Sequence, residues 1–251
     1  MEEKTVHSGR WRAYSGARTP RDAGGLNSGS CAIPPRLGVR NMTTRLCIVR
    51  HGETDWNVEK RIQGHTDVPL NASGRAQALA MSFNAAHHRF DAIYSSDLAR
   101  ATETARYVAE REGEVVRPMR DLRERHFGIF QGLTAAEAAS RHPLAHARYA
   151  ARDPDYDFGT GESLHAFAAR VVKGLDWLVR HHAGETILTV SHSGVLDVLY
   201  RHATGRPLEA PRDFEIPNCA LNWFGVDAHG LHLERWADRH HLAQVLVEAP
   251  E

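Results

Sequence analysis

Leu46-Cys47-Ile48-Val49-Arg50-His51-Gly52-Glu53-Thr54-Asp55-Trp56-Asn57 joins four apolar residues directly to a charged turn that contains a glycine. A continuous apolar run of this length ending in polar residues reads as a strand buried on both faces, here Arg45–Val49. Strands of that kind belong to parallel sheets covered by helices, and ligands in such sheets collect at the carboxyl ends of the strands. Arg50 and His51 stand at such an end, and Gly52 lets the backbone approach whatever binds there.

Outward from this point the chain alternates strand and helix. Ser73–His88 reads as a helix with Ser73 as its N-cap and Ala76, Leu79, Ala80 and Phe83 on its apolar stripe. Asp91–Ser95 is a strand, and Asp97–Arg111 a helix that turns Leu98, Ala101, Ala105 and Val108 inward. Glu114–Met119 is a third strand. Thr134-Ala135-Ala136-Glu137 is a capping box, Pro143 opens a further helix, and Asp153–Gly161 is a loop. Ser163–His182 carries Leu164, Phe167, Ala168, Val171, Val172, Leu175, Leu178 and Val179 at helical spacing. Glu185–Ser191 is a strand, Gly194–His202 a helix, and Ala220–Val226 and Leu231–Trp236 are closing strands around His229-Gly230. The expected fold is α/β, a three-layer α/β/α sandwich around a largely parallel sheet, in one domain spanning residues 42–251.

Residues 1–41 read differently. They are rich in Gly, Ser, Arg and Pro, lack helical or strand period, and set seven basic residues against three acidic ones. Such a segment lacks the apolar content to offset ordering entropy, so a disordered or non-native extension is expected, with Met42 as the natural start. The whole chain of 251 residues balances 31 Lys+Arg against 31 Asp+Glu, and 42% of it is hydrophobic. The balance argues against a general nucleic-acid binder. No run nears the roughly 18 apolar residues of a membrane span. Cys31, Cys47 and Cys219 are too scattered for a disulfide framework or zinc knuckle, which fits a reducing, cytoplasmic setting.

Four loops at strand ends carry the chemistry. They are Arg50-His51-Gly52-Glu53, Ser95-Ser96-Asp97-Leu98-Ala99-Arg100, Leu122-Arg123-Glu124-Arg125-His126 and Ser191-His192-Ser193-Gly194. Singly each has a plain reading: Arg100 paired with Glu103 or Glu124, Glu124 as an exposed loop charge, His192 as a satisfied core histidine. Together they bring two His and two Arg to one carboxylate. Guanidinium forks match phosphate oxygens, and an imidazole can attack phosphorus. The chemistry that wants this set is phosphoryl transfer through a phosphohistidine, with Glu124 protonating the leaving oxygen.

The segment Leu46–Asn57 resembles the signature of the histidine phosphatase superfamily, in its phosphoglycerate-mutase-like branch. The resemblance continues through Arg61-Ile62-Gln63-Gly64, Pro69-Leu70-Asn71 with Gly74, Ser95–Ala101, Gly161-Glu162-Ser163 and Ser191–Gly194. It implies a phosphoglycerate-mutase-like fold, with His51 as the phosphorylated nucleophile, Arg50, Arg100 and His192 as the phosphate pocket, and Glu124 as proton donor. It also implies that Asn57, Gln63 and Gly64 line the rim, with Arg125 and Ser193 in the substrate-binding set. No metal or other cofactor is implied, since Arg and His take the charge-stabilising role.

Phosphatase and mutase share the phosphohistidine and differ in the acceptor, water or a held substrate hydroxyl. Mutases of the family carry Tyr where this chain has Phe127 and Lys where it has Ala135. They also have a longer, paired-Arg insertion where this chain has only Leu133–Thr160. The expectation is therefore a metal-independent phosphomonoesterase acting on a small phosphorylated metabolite, with neither nucleic acid nor membrane as partner. A cofactor-dependent phosphoglycerate mutase is the alternative, and a non-catalytic phosphate-binding module is the alternative of another class. The segment Ala135–Thr160, with Arg141, His142, His146, Arg148, Tyr149 and Arg152, is expected to cover the leaving group or else to be a solvated helix face. Strand Leu231–Trp236 is a candidate edge for a homodimer, with a covered edge as the equal alternative.

Overall fold

The computed structural model describes residues 43–243. The expectation for residues 1–41 lies outside them. Strand β1 (Thr44–Arg50) places Leu46 and Ile48 on one face of the sheet and Cys47 and Val49 on the other, and all four are buried. Period-two alternation with apolar residues on both faces requires a helical layer on each side. Both layers are present. Leu46 and Ile48 join the cluster under α6 (Leu164–His181) and α7 (Ser193–Thr204). Cys47 and Val49 join the cluster under α2 (Ala72–Ala85) and α3 (Ala99–Glu112).

The remaining strands are β2 (Ala92–Ser95), β3 (Val116–Pro118), β4 (Thr186–Ser191), β5 (Leu221–Asp227) and β6 (Gly230–Asp238). Their order is β3-β2-β4-β1-β5-β6. The first four are parallel, and β5 and β6 close the sheet antiparallel. The expected three-layer α/β architecture is thus present, with a mixed rather than uniform sheet. Register decides which loops become neighbours. Arg50 pairs with Ser191 across β1 and β4, and Ser95 pairs with Val190 across β2 and β4. Residues 51, 192 and 96 therefore leave three adjacent strands side by side. A short helix α1 (Asp55–Val58) follows His51, and α4 (Ala135–Arg141) and α5 (Pro143–Ala150) form a cover over the third apolar cluster, Phe130, Ala138, Tyr156 and Phe158. No helix among the described residues is long and apolar enough to cross a membrane.

Helix α2 departs from the reading of its sequence. Its N-cap is Asn71, whose side chain accepts from the Gly74 amide, and Ser73 lies inside the first turn. Its buried stripe is Gly74, Gln77, Ala78, Met81, Ser82 and Ala85, while Leu79 and Phe83 are 47% and 53% exposed. The phase is set by close approach. A Cβ on Gly74 would overlap the Glu53 carbonyl, and one on Gly52 would overlap the Gly74 carbonyl. Docking Gly74 onto the loop after His51 rotates the small residues inward and the larger ones out. Phe83 is covered instead by the Arg111 guanidinium, 4.2 Å from its ring centre.

Candidate active site

His51 follows β1, and its backbone is fixed on three sides. Its amide donates to the Ser191 carbonyl (2.9 Å), its own carbonyl accepts from Asn218 Nδ2 (2.7 Å), and the Gly52 amide donates to Thr104 Oγ1 (3.0 Å). Nδ1 of the ring stands 2.7 Å from the Gly52 carbonyl. A carbonyl can only accept, so Nδ1 carries the proton and Nε2 keeps its lone pair. That nitrogen accepts from Arg100 Nε at 3.3 Å. Burial, then Arg100 and Arg50, hold the His51 pKa well below the usual imidazole value. The ring is neutral at pH 7, with a nucleophilic nitrogen turned to a cation.

Arg100, fully buried, sits in the first turn of α3 and is aimed from below. Its Nη1 donates to the Thr66 carbonyl (2.9 Å) and its Nη2 to the Gly64 carbonyl (2.8 Å). Burial lowers its pKa to about 10, so it remains charged at pH 7. Arg50 donates from Nη1 to the Ile216 carbonyl (2.9 Å), and its own pKa is lowered by burial. His192, the residue before α7, is buried with its ring centre 5.1 Å from that of His51. Ser96 Oγ holds its Nε2 at 2.6 Å. Burial first, then Arg100, His51 and Arg50, keeps this second imidazole neutral as well. Among the described residues, Arg50 Nε and His192 Nδ1 are buried without a hydrogen-bond partner. The unpaired Arg50 N–H is a donor that a bound oxyanion would satisfy, and His192 Nδ1 is a second one in the tautomer where Ser96 donates to Nε2.

Glu124 is buried rather than exposed, and it is held at the start of α7. Its Oε2 accepts from Ser193 Oγ and the Gly194 amide, each at 3.1 Å, and Oε1 from the Arg125 amide at 2.8 Å. A side chain on Gly194 would overlap Oε1, so this approach requires glycine. The carboxylate's field reaches both Arg50 and Arg100. Five residues from four loops therefore converge: Arg50, His51, Arg100, Glu124 and His192.

The other expected residues fall around this centre in different ways. Asn57 Oδ1 accepts from the Thr54 amide and hydroxyl (both 3.1 Å) in the capping box of α1. Gln63 Nε2 donates to the same Thr54 hydroxyl (2.8 Å), and its Oε1 is buried without a partner among the described residues. Gly64 acts through its carbonyl on Arg100, and Ser193 through its hydroxyl on Glu124. Arg125 is buried and donates to the Glu162 (2.8 Å) and Tyr156 (2.9 Å) carbonyls. It lines a separate cavity of about 80 Å³ that also meets Gly194. Of the covering segment, Tyr149, Arg152 and Asp153 reach this cavity, whereas Arg148 pairs with Asp153 from the solvent side (2.7 Å) and Arg141 is exposed. The sequence assigns no part to Ser96, Thr104, Asn218 or Arg212. Ser96 stands in one of the strand-end motifs, but the other three become neighbours of the site only through tertiary packing.

The sequence profile of the histidine phosphatase superfamily, branch 1, matches residues 46–239. The chain belongs to this superfamily. As a histidine phosphatase it is 40% identical over 203 residues to phosphoglycerate mutase-like protein 4 of Arabidopsis thaliana, covering 79% of this chain and 87% of the relative. It is 35% identical over 211 residues to the metal-independent phosphoserine phosphatase of the same plant, covering 82% and 87%. Among solved structures, the mycobacterial glucosyl-3-phosphoglycerate phosphatase complexed with VO3 superposes with a TM-score of 0.69 at 32% identity, over 78% of this chain and 99% of that one. This histidine phosphatase has no group of three or more His, Cys, Asp or Glu placed to hold a metal ion among its described residues.

Proposed function

We propose that residues 42–251 form a phosphomonoesterase domain that works through a phosphohistidine on His51 without a metal ion. The observation that carries the reading is the His51 ring: neutral, its Nδ1 proton committed to the Gly52 carbonyl, and its unprotonated Nε2 turned to the buried Arg100 guanidinium, from which it accepts a long hydrogen bond. In the first step Nε2 forms a bond to phosphorus while the bond to the ester oxygen breaks. Arg50, Arg100 and His192 stabilise the charge on the three equatorial oxygens. The leaving oxygen takes its proton from Glu124. In the second step Glu124, now a carboxylate supported by Ser193 and Gly194, takes a proton from water. That water attacks phosphorus, the N–P bond breaks, and phosphate leaves with His51 restored. Asn57, Gln63 and Gly64 act on this pocket through Thr54 and Arg100, and Arg125 belongs to the leaving-group side.

Hydrolysis is favoured over mutase transfer by the cavity wall. In that wall Phe127 brings a ring without a hydroxyl, packed on Phe158 (5.3 Å); outside it, Ala135 brings no cation to the start of α4. A metabolite hydroxyl is less well held there than in a site with Tyr and Lys, and water takes its place. Similarity to a phosphoserine phosphatase supports the same choice. The test uses EDTA-treated protein with 3-phosphoglycerate and a panel of phosphomonoesters, following free phosphate and 2-phosphoglycerate together. Phosphate release without isomerisation is expected; isomerisation stimulated by a bisphosphoglycerate primer would make the chain a mutase. The setting that fits is cytoplasmic, with Cys47 and Cys219 as buried free thiols whose pKa burial pushes up. Edge strand β6 is the surface we assign to a homodimer, to be checked by sedimentation.

A further inference from the structure

Helix α2 turns a buried amide side chain toward the loop after His51. Gln77 Oε1 accepts from the Glu53 amide at 3.0 Å. A backbone N–H can only donate, so the side-chain oxygen is the atom that faces it. The Glu53 N–H and the Gly52 carbonyl belong to one peptide group. That carbonyl is also the acceptor of the His51 Nδ1 proton, at 2.7 Å. The two bonds therefore run head to tail, from Gln77 through the 52–53 peptide to the imidazole. At the far side of the ring, Nε2 meets Arg100 Nε.

The peptides on either side have anchors of their own. The 51–52 peptide is held between Asn218 Nδ2 and Thr104 Oγ1, and the Glu53 carbonyl accepts from the Asn71 amide at 3.0 Å. Close approach of Gly74 seats α2 on residue 53, and one turn further along Gln77 reaches the same residue's N–H. Of these peptides, the 52–53 group is the one that touches the ring. A bond accepted from its N–H polarises the peptide and makes its carbonyl a stronger acceptor. A stronger acceptor at Nδ1 commits the proton there and leaves the lone pair on Nε2. We infer that Gln77 is a positioning residue for the nucleophile, holding His51 through the 52–53 peptide in the tautomer whose Nε2 can attack phosphorus. This role rests on the phosphohistidine reading above and adds the side chain that keeps the nucleophile in its reactive form. A Gln77 that merely satisfied a buried amide would, when lost, loosen α2 and the phosphate pocket together and leave the tautomer unchanged.

Two variants of the full chain separate these roles. Gln77→Met keeps the length of the side chain and removes the acceptor, whereas Gln77→Glu keeps an oxygen in its place. The first readout is the 1H–15N spectrum of protein labelled with 15N in histidine, at pH 7, with His51 identified by its absence from His51→Ala. The wild-type ring is expected to be protonated at Nδ1, and Gln77→Met to move a measurable fraction of it to Nε2–H. The second readout is kinetic. In Gln77→Met, kcat/KM for p-nitrophenyl phosphate and for 3-phosphoglycerate is expected to fall by the same factor, about tenfold, the upper worth of one neutral hydrogen bond. Inhibition by inorganic phosphate, which reports Arg50 and Arg100, is expected to stay within about twofold, and Gln77→Glu to recover most of the loss. An unchanged ring or unchanged turnover in Gln77→Met overturns the inference and leaves the phosphatase reading in place. So does a fall in turnover matched by an equal loss of phosphate binding, or a ring that moves to Nε2–H in Gln77→Glu. Phosphate release from neither substrate by the wild type overturns the phosphatase reading, whatever the ring shows. A wild-type ring protonated at Nε2 overturns both.

Discussion

Glu124 and Gly194 show how a single missing side chain sets the place of the carboxyl group we propose as the proton donor. The Glu124 carboxylate reaches the amide at the start of α7 because nothing projects from residue 194. Gly194→Ala is therefore expected to push Glu124 off the ester oxygen and to lower kcat for alkyl phosphates by at least about tenfold, with a smaller fall for aryl phosphates, as a displaced general acid requires. Glu124→Gln is expected to give the same split, since only poor leaving groups need the proton; equal slowing of both substrate types removes Glu124 from that role. Much of this is legible in the sequence, because His51, Arg100, Glu124 and His192 each follow a strand end and strand ends meet. Asn57 and Gly64 are legible as neighbours but not in what they do, since one caps a helix and the other lends a carbonyl. Arg212 and Asn218 lie in the long connection before β5 with no local pattern, and only packing brings them to the site.

At the scale of elements, the helices over the sheet follow their apolar periods except where a loop dictates phase. Helix α6 buries Leu164, Phe167, Ala168, Val171, Leu175 and Leu178 as its spacing implies. Helix α2 does not, because the Gly52–Gly74 contact outranks the burial of Leu79 and Phe83. Gly74→Ala is expected to cost about 1–3 kcal/mol, the usual penalty of forcing a methyl into a filled space. Urea unfolding measures it, and a loss under a few tenths of a kcal/mol would show that the contact does not set the phase. The cover formed by α4 and α5 hangs on Phe130, whose ring meets Phe158 (5.2 Å) and Tyr149 (5.7 Å). Phe130→Ala is expected to cost about 3–5 kcal/mol and to raise KM, because Tyr149 loses the packing that keeps it on the cavity.

The whole molecule stores two neutral imidazoles at its centre, and this links stability to pH. His51 and His192 have folded-state pKa values well below the unfolded imidazole value, so the unfolded chain binds more protons as pH falls. Their contribution is complete above pH of about 6.5 and is lost on acidification, at up to about 1.4 kcal/mol per pH unit for each ring. Unfolding followed from pH 8 to pH 5 is expected to show this acid-side decline, and His192→Gln to make it shallower; an identical slope in the variant would mean that His192 is not held neutral. The same pairing of neutral nucleophile and fixed cations underlies the central claim, that phosphate passes through His51. The direct measurement is brief incubation of the full chain with 32P-labelled 3-phosphoglycerate, rapid quench at alkaline pH, and mapping of the label. An acid-labile, base-stable phosphate on His51 that is absent from His51→Ala is predicted. Label that persists in His51→Ala, or turnover of that variant at the wild-type rate, contradicts it.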